Sequence, residues 1–238
     1  MKLACSSSAF DALLRAGDLT QLEWIDLCAH ELRADGIVLD MRHFPRTDTD
    51  YLAQIKKMAC DLCLCIAALR EDAFFQHDGD AMRASTEVAL ALGAPLISAP
   101  MPFETAASWT DVLARLGTAT SLAKAANVTL AVRNAPGTFG ASAHDLKRVS
   151  KEADSAWLRY ASDFGALDAA SDPQELLGKT VLAWRQLDHP MSERDAALLE
   201  SYRGHIAFDA TGGNAGAEEM KNALREWRSA LFSAVNRT

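Results

Sequence analysis

Short apolar runs alternate along the chain with longer segments in which apolar residues recur at helical spacing. The runs start near residues 2, 36, 63, 94, 128, 157, 181 and 204. Gly36–Leu39 and Val128–Val132 are continuous apolar runs, which is typical of strands covered on both faces. After the first run, Leu22, Ile25 and Ala29 are three and four residues apart, which predicts a helix with one buried face. The chain therefore predicts a regular succession of strand and helix.

Polar residues mark where the predicted helices begin. Four of the predicted starts have a serine or threonine with an acidic residue three positions later, so that side chain and backbone satisfy each other's free N–H groups. The pattern occurs at Thr20–Glu23, Ser108–Asp111, Ser142–Asp145 and Ser192–Asp195. Pro173 is predicted at the first position of a short helix, where its missing N–H costs nothing. The helix that starts at Ser192 is expected to end at Gly204.

Eight units of strand and helix predict an α/β fold with a parallel sheet closed into a (β/α)8 TIM barrel. The units cover residues 1–238 without a linker, so a single domain is expected. An open, doubly wound sheet is the alternative, but the Gly-x-Gly-x-x-Gly turn of many such folds does not follow the first strand.

Composition excludes some classes of partner. The net charge of −8, with scattered Lys and Arg, argues against nucleic acid, because phosphate binding needs clustered positive charge. No apolar run reaches the roughly 20 residues of a membrane helix, and no signal peptide is evident, so a cytoplasmic protein is expected. A homo-oligomer is compatible with the sequence. Cys60-x-x-Cys63 lacks a second pair with zinc-ligand spacing, so reduced, buried thiols are predicted instead.

Several short stretches resemble the xylose isomerase-like barrels, a family of sugar isomerases, epimerases, dehydratases and metal-dependent apurinic endonucleases. The stretches that carry the resemblance are Met1–Ser8, Asp35–Asp40 with the Arg42–Pro45 segment, Asn127–Asn134, Leu158–Gly165 and His205–Asp209. They occur in order and span almost the whole chain. The resemblance implies a barrel whose reaction site lies at the C-terminal tips of the strands.

The same resemblance implies a divalent cation held by two glutamates, an aspartate and a histidine. The corresponding positions here are Arg133, Asp163, Ala183 and Asp209, with Arg185 in place of a lysine that follows the histidine. A guanidinium is always protonated and cannot ligate a cation, so the metal site is predicted to be lost and no cofactor is expected. Our hypothesis is that Arg133 replaces the cation as the positive centre and pairs with Asp163 and Asp209.

Residues at the predicted strand tips are the candidates for chemistry and binding. Asp163, Asp209 and His43 are candidate acids or bases. The candidate substrate-binding residues are Arg133, Asn134, Arg185, Trp184, Arg70, Gly212 and Gly213. The arginines favour a carboxylate or phosphate on the ligand, and the glycines belong to a loop after strand eight where barrels often bind phosphate. Each candidate also has a purely structural interpretation. Arg70 and Arg185 would be solvated, His43 would be a solvated loop residue, and Trp184 would pack in the barrel wall. Arg133 with its two aspartates would be a salt-bridged plug.

The predicted function is binding of a small sugar, polyol or sugar phosphate at the strand tips without a divalent metal. Two alternatives stay open. The first is an active isomerase or epimerase that uses a residual or metal-free acid and base. The second is a catalytically inactive barrel with a structural or interaction role.

Overall fold

A computed structural model describes residues 1–167, 171–189, 195 and 201–235. Eight parallel strands form a closed barrel in chain order, which confirms the predicted (β/α)8 architecture. The strands are β1 Lys2–Ser6, β2 Gly36–Asp40, β3 Cys65–Arg70, β4 Leu96–Pro100, β5 Thr129–Arg133, β6 Leu158–Asp163, β7 Thr180–Gln186 and β8 His205–Asp209.

Helices connect the strands on the outside of the barrel. They are α1 Asp11–Ala16, α2 Gln21–His30, α3 Thr49–Asp61, α4 Gly79–Leu92, α5 Trp109–Ala126, α6 Ala143–Ala153, α7 Gln174–Leu177 and α8 Ala217–Val235. Short 3-10 turns occur at Ser7–Phe10, Met41–His43, Phe74–Gln76 and Thr211–Gly213. Helix α1 was not predicted, and the helix expected from Ser192 falls largely outside the described residues. Within the described ranges, none of the helices is long and apolar enough to cross a membrane.

The predicted capping boxes account for three helix starts. Thr20, Ser108 and Ser142 each accept a hydrogen bond from the backbone N–H three residues on, and the carboxylate of the acidic residue there accepts one from the backbone N–H of the serine or threonine. Pro173 lies at the N-cap of α7, one position earlier than predicted, and its φ of −57° already suits a helix.

Strand residues alternate between two buried layers because successive side chains point to opposite faces of a sheet. The outer layer packs against the helices and contains Leu3, Ile37, Val132, Ala183 and Phe208. The inner layer fills the barrel and consists mainly of small residues: Ala4, Val38, Ala67, Ala68, Leu96, Ala131, Ala161, Leu182, Trp184 and Ala207. So many alanines leave room for one indole inside the barrel.

Both ends of the chain contribute to closure of the barrel. β1 pairs with β8 in parallel, with Lys2 opposite His205 and Cys5 opposite Phe208.

The cysteines differ from the prediction in part. Cys5 and Cys28 are buried free thiols, but Cys60 and Cys63 are exposed, because they lie at the solvent-facing end of α3 and in the turn that follows.

Candidate functional site

One polar layer follows the inner apolar layer at the C-terminal tips of the strands. On every strand, the position two residues beyond an inner-layer residue near the tip carries a polar or aromatic side chain on the same face. These inward positions are Ser6 on β1, Asp40 on β2, Arg70 on β3, Ser98 on β4, Arg133 on β5, Asp163 on β6, Trp184 on β7 and Asp209 on β8. We call this set the tip ring. It is the end of a parallel barrel where substrates bind in known enzymes of this architecture.

Arg70 binds carboxylates on two sides of the tip ring. Its Nη1 donates to Asp209 Oδ2 at 2.7 Å and also to the Ser8 hydroxyl. Its Nε and Nη2 donate to the two oxygens of Asp72 at 2.9 and 2.8 Å, and Asp40 lies 3.4 Å from Nε. Burial acts to lower the pKa of Arg70, but these three carboxylates outweigh it and raise the pKa.

Arg133 shares Asp72 with Arg70. Its Nη2 donates to Asp72 Oδ1 at 2.8 Å. Burial lowers the pKa of Arg133, and the charge of Arg70 lowers it further. We expected Arg133 to pair with Asp163 and Asp209, and its charge does act on both: it acts to lower the pKa of Asp163, and Asp209 acts to raise the pKa of Arg133. The hydrogen bonds are arranged differently, because Asp209 is bound by Arg70 and Asp163 accepts from its own loop. The carboxylate that neutralises Arg133 comes instead from the loop after β3.

Trp184 provides an aromatic surface beneath both guanidinium groups. The guanidinium carbons of Arg70 and Arg133 lie 5.5 and 5.3 Å from its ring. At these distances the ring face attracts a cation and supports a planar guanidinium. The indole Nε1 donates to Ser98 Oγ at 3.3 Å, which fixes the ring orientation.

Asp209 is held by a chain of serine hydroxyls in addition to Arg70. Ser8 Oγ donates to Asp209 Oδ1 at 2.8 Å, and Ser6 Oγ lies 2.6 Å from Ser8 Oγ. Both serines are buried. This chain ties the tip of β1 to the tip of β8 and keeps Asp209 in a fixed orientation.

Asp163 is the tip-ring carboxylate that is held mainly by hydrogen bonds rather than by ion pairs. Its Oδ1 accepts hydrogen bonds from Gly165 N at 3.1 Å and Ala166 N at 3.2 Å. Burial raises the pKa of Asp163, and the hydrogen bonds from Ala166, the Gln186 side chain and Gly165 offset this only in part. A raised pKa favours a carboxyl group as a candidate general acid or base.

The side-chain amide of Asn134 holds the backbone of Asp163. Its Nδ2 donates to Asp163 O at 2.9 Å, and its Oδ1 accepts from Asp163 N at 2.7 Å. These two hydrogen bonds use both functions of a buried amide. A substrate-binding role for Asn134 stays a prediction.

His43 lies at the edge of the ring in a buried clamp. Ser7 Oγ is 2.9 Å from its Nδ1, and Asp11 Oδ1 is 2.9 Å from its Nε2. Ser7 Oγ also accepts from Asp40 N at 2.9 Å. The imidazole is fully buried and has both nitrogens engaged, so it joins the turns that follow β1 and β2 to the start of α1. Its proposed role as acid or base is untested.

Arg185 does not reach the tip ring, contrary to our expectation. It follows Trp184 directly and therefore points to the other face of β7. There its guanidinium stacks 5.6 Å from the Trp227 ring of α8, binds Asp195 at 3.2 Å and donates to His189 O.

Gly212 and Gly213 lie in a loop that packs on the start of the chain. Both have positive φ, 81° and 69°. A Cβ on Gly213 would lie 2.6 Å from Asp11 Cβ and 3.0 Å from Ser8 O, so close backbone approach requires glycine there. This contact explains Gly213 without a ligand, and phosphate binding by the loop stays a prediction.

The residues at the tips of β5 to β8 do not fit a divalent cation. The inward residues are Arg133, Asp163, Trp184 and Asp209, so the β7 position is Trp184 rather than Ala183, which lies in the outer layer. Arginine and tryptophan supply no ligand atom, and a cation would be repelled by the two guanidinium groups. In the described part of the chain, no three His, Cys, Asp or Glu side chains converge as a metal site.

Asp72, Ser8 and Asp11 belong to the network but were not predicted as site residues, and neither were Ser6, Asp40 and Ser98. Ser6, Asp40 and Ser98 were identifiable in principle, because each lies two residues beyond an inner-layer residue. Asp72 lies in the loop after β3 and Asp11 at the first position of the short helix α1, where no periodic pattern indicates the direction of the side chain.

A cavity of about 370 Å³ opens separately from the tip ring, on the outside between α4 and α5. It is lined by Gln76, His77, Asp78, Gly79, Met82, Ala114, Arg115 and Thr118. Arg115 donates to Phe75 O and Gln76 O at 3.4 and 3.5 Å, so it mainly secures the turn before α4.

No protein-family model matches the sequence. No curated protein matches it either. Solved structures match over nearly the whole chain. The probable 3-DHS dehydratase AsbF of Bacillus anthracis aligns with 96% of this chain and 99% of its own, at 14% identity and a TM-score of 0.78. A D-psicose 3-epimerase of Clostridium cellulolyticum H10 aligns over 99% of both chains, at 12% identity and a TM-score of 0.73.

A third structure is described as a xylose isomerase-like TIM barrel/4-hydroxyphenylpyruvate dioxygenase fusion protein. It aligns with 94% of this chain and 42% of its own, at 15% identity and a TM-score of 0.72. At such low identity a structural likeness carries the fold alone. This chain has the fold of the xylose isomerase-like TIM barrels.

Proposed function

We propose that this protein binds a small carbohydrate, namely a sugar, a polyol or a sugar phosphate, at the tip ring without a divalent cation. The observation that carries the proposal is the pair of guanidinium groups over the Trp184 ring, where related barrels would hold a metal. An aromatic face suits the apolar face of a sugar ring, and guanidinium and carboxylate groups suit its oxygens. The likeness to a D-psicose 3-epimerase agrees with a ligand of this class.

A second candidate function is metal-free acid–base catalysis on such a ligand. The raised pKa of Asp163 favours it, because this carboxyl lies in the tip ring and is suited to transfer protons. Asp209 is the second candidate carboxyl, held 2.7 Å from Arg70 Nη1. The described side chains of the tip ring are extensively ion-paired, however, which favours binding over turnover.

The test is a thermal-shift screen of neutral sugars, polyols and sugar phosphates, each with manganese or magnesium and with a chelator. A ligand at 100 times its Kd stabilises by about 2.7 kcal/mol, which for a chain of this size raises Tm by roughly 5 to 10 °C. We expect a shift of that kind that is unaffected by chelation.

Two variants that each lose one positive charge localise the binding. Arg133→Gln should remove the shift, while Lys57→Gln, which loses a positive charge in an exposed pair with Asp61, should retain it. A shift that requires a divalent ion would contradict the metal-free proposal. No shift with any compound would favour the inactive structural barrel instead.

A further inference from the structure

We propose that the Asp72 carboxylate holds the place of an anionic group of the ligand, a carboxylate or phosphate monoester, between Arg70 and Arg133. The inference rests on the proposed function for the location of the ligand and deepens it in two ways. It gives the ligand a negative charge, and it makes Asp72 an internal competitor for the site.

The geometry around Asp72 is that of a bound anion. Arg70 donates to both of its oxygens, and Arg133 donates to Oδ1, with all three distances between 2.8 and 2.9 Å. Two guanidinium groups with parallel N–H bonds are the usual means of recognising a carboxylate or phosphate. The two arginines come from β3 and β5, the strands on either side of β4, and converge on this one group.

Exposure decreases from Asp72 to the arginines beneath it. The Asp72 side chain is 37% exposed, whereas those of Arg70 and Arg133 are 12% and 13% exposed. An anion arriving from solvent therefore meets Asp72 first and finds the guanidinium groups directly behind it. Asp72 lies where an exchangeable group would be placed.

The backbone around Asp72 is fixed without help from its side chain. Glu71 N donates to Ser98 O at 3.0 Å, and Phe74 N donates to Glu71 O at 3.1 Å. Ala73 N donates to Glu71 Oε1 at 3.2 Å. The Asp72 carboxylate can therefore rotate outward while the loop stays in place.

The other carboxylates of the network are less exchangeable. Asp40 is buried and accepts from Arg42 Nη2 at 2.8 Å and from Arg42 N at 3.0 Å. Asp209 is buried and accepts from Ser8 and Ala210 N. Removing either would leave donors of the surrounding backbone and serines without acceptors. Within the described chain, the hydrogen bonds of the Asp72 side chain come from the two guanidinium groups alone.

Displacement of Asp72 requires a replacement anion. Without one, Arg133 would be a buried cation without a carboxylate in hydrogen-bonding contact, which is costly. A ligand anion restores the pairing, so the exchange replaces one carboxylate–guanidinium arrangement by another. Only molecules in which Asp72 has moved away can bind the ligand anion. Competition by Asp72 therefore weakens the apparent affinity for the ligand by a constant factor.

The test uses inorganic phosphate and acetate as probes and isothermal titration calorimetry as the readout. Asp72→Asn keeps the shape but not the charge, and Asp61→Asn removes a charge from an exposed pair on α3 as a matched control. We expect roughly tenfold tighter phosphate binding by Asp72→Asn than by the unchanged protein. Asp61→Asn should equal the unchanged protein. The acetate arm shows whether a carboxylate is accepted as well as a phosphate.

The double variant Asp72→Asn, Arg133→Met should lose the gain in phosphate affinity that Asp72→Asn shows. This loss would assign the gain to the site between Arg70 and Arg133. Equal phosphate affinity for Asp72→Asn and Asp61→Asn would overturn the inference, as would a gain that survives Arg133→Met. If Asp72→Asn does not fold, the arginine Nε–H resonances of the unchanged protein replace it. Millimolar phosphate should shift the resonance that Arg133→Met removes, and an unmoved resonance would overturn the inference.

Failure of this inference and failure of the proposed function have different signatures. Inorganic phosphate contains no sugar, so its binding by Asp72→Asn is independent of carbohydrate recognition. A neutral sugar that stabilises the unchanged protein, without a phosphate gain in Asp72→Asn, would overturn the inference alone. A phosphate gain without a response to any carbohydrate would overturn the proposed function alone.

Discussion

Asp72 and Asp163 serve the same barrel mouth, but their pKa values move in opposite directions. Burial acts to raise both. At Asp72 the hydrogen bonds and charge of Arg70 and the charge of Arg133 outweigh burial and lower the pKa to about 2. At Asp163 the neighbours are mainly backbone N–H groups, which offset burial only in part. Direct contact with a guanidinium thus decides whether the pKa of the buried carboxyl is lowered or raised.

The sign of each shift fixes how stability depends on pH. Asp72 has a lowered folded pKa, so its contribution is present above its ordinary value of 3.8 and is lost as pH falls towards about 2. For a side chain 37% exposed, solvent screening reduces this contribution to about 1 kcal/mol. Asp163 has a raised folded pKa, so the folded state holds the proton more tightly, and stability falls as pH rises above 3.8.

Asp163→Asn should therefore gain stability relative to the unchanged protein as pH increases from 4 to 7. The amide stays neutral throughout, so it avoids the cost of ionising a buried carboxyl. Denaturant unfolding at several pH values measures the difference. Asp72→Asn is the control, because its loss of stability should be constant over the same interval. A pH-independent difference for Asp163→Asn would show that Asp163 ionises as freely in the folded protein as in the unfolded chain.

At the scale of strands, alternation of side chains explains both what the sequence predicted and one error. Buried parallel strands are unambiguous as apolar runs, which is why the barrel was predictable from runs such as Val128–Val132. Trp184 and Arg185 are adjacent, so they cannot both face the barrel interior. The inner-layer Leu182 places Trp184 inward and Arg185 towards α8. The same reasoning moves the expected histidine position from Ala183 to Trp184.

Loops were less predictable because their contacts are long-range. Asp72 meets Arg133 across 61 residues of sequence, and Ser8 meets Asp209 across 201. Neither contact has a local signal, since the loop direction depends on packing against other loops. Helix α1 was also missed. None of its six residues is buried, so it lacks the apolar stripe that predicts a helix. Local patterns thus predicted the barrel but only part of the tip ring.

The loop after β8 provides a test of such packing. Gly213→Ala should destabilise the protein by at least about 2 kcal/mol, because a Cβ would approach Asp11 Cβ at 2.6 Å and φ is positive. Gly212→Ala is a matched control. It has a similar φ of 81° but only Asn214 Nδ2 nearby at 3.8 Å, so about 1 kcal/mol is expected. Equal losses of stability for the two variants in denaturant unfolding would show that the loop after β8 does not pack against Ser8 and Asp11 as tightly as the structure indicates.

At the scale of the whole molecule, the tip ring depends on closure of the barrel. Every strand contributes one residue to the tip ring, and the first and last strands are joined by their own ladder and, just beyond β1, by the Ser8–Asp209 hydrogen bond. No subset of strands contains both arginines, Trp184 and their carboxylates without most of the barrel. Ligand binding at the ring should therefore be coupled to folding of the entire chain.

This coupling predicts that residues 1–238 unfold in one cooperative transition. A chain of 238 residues should have a heat-capacity change of about 3 kcal/mol/K, and the calorimetric and van't Hoff enthalpies should agree. A tip-ring ligand should move this transition as a whole, since partial unfolding would already open the β1–β8 ladder. The measurement is differential scanning calorimetry with and without ligand, with Lys57→Gln as the surface control. Two separate transitions, with one insensitive to ligand, would mean that part of the barrel folds independently and that the single-domain prediction is wrong.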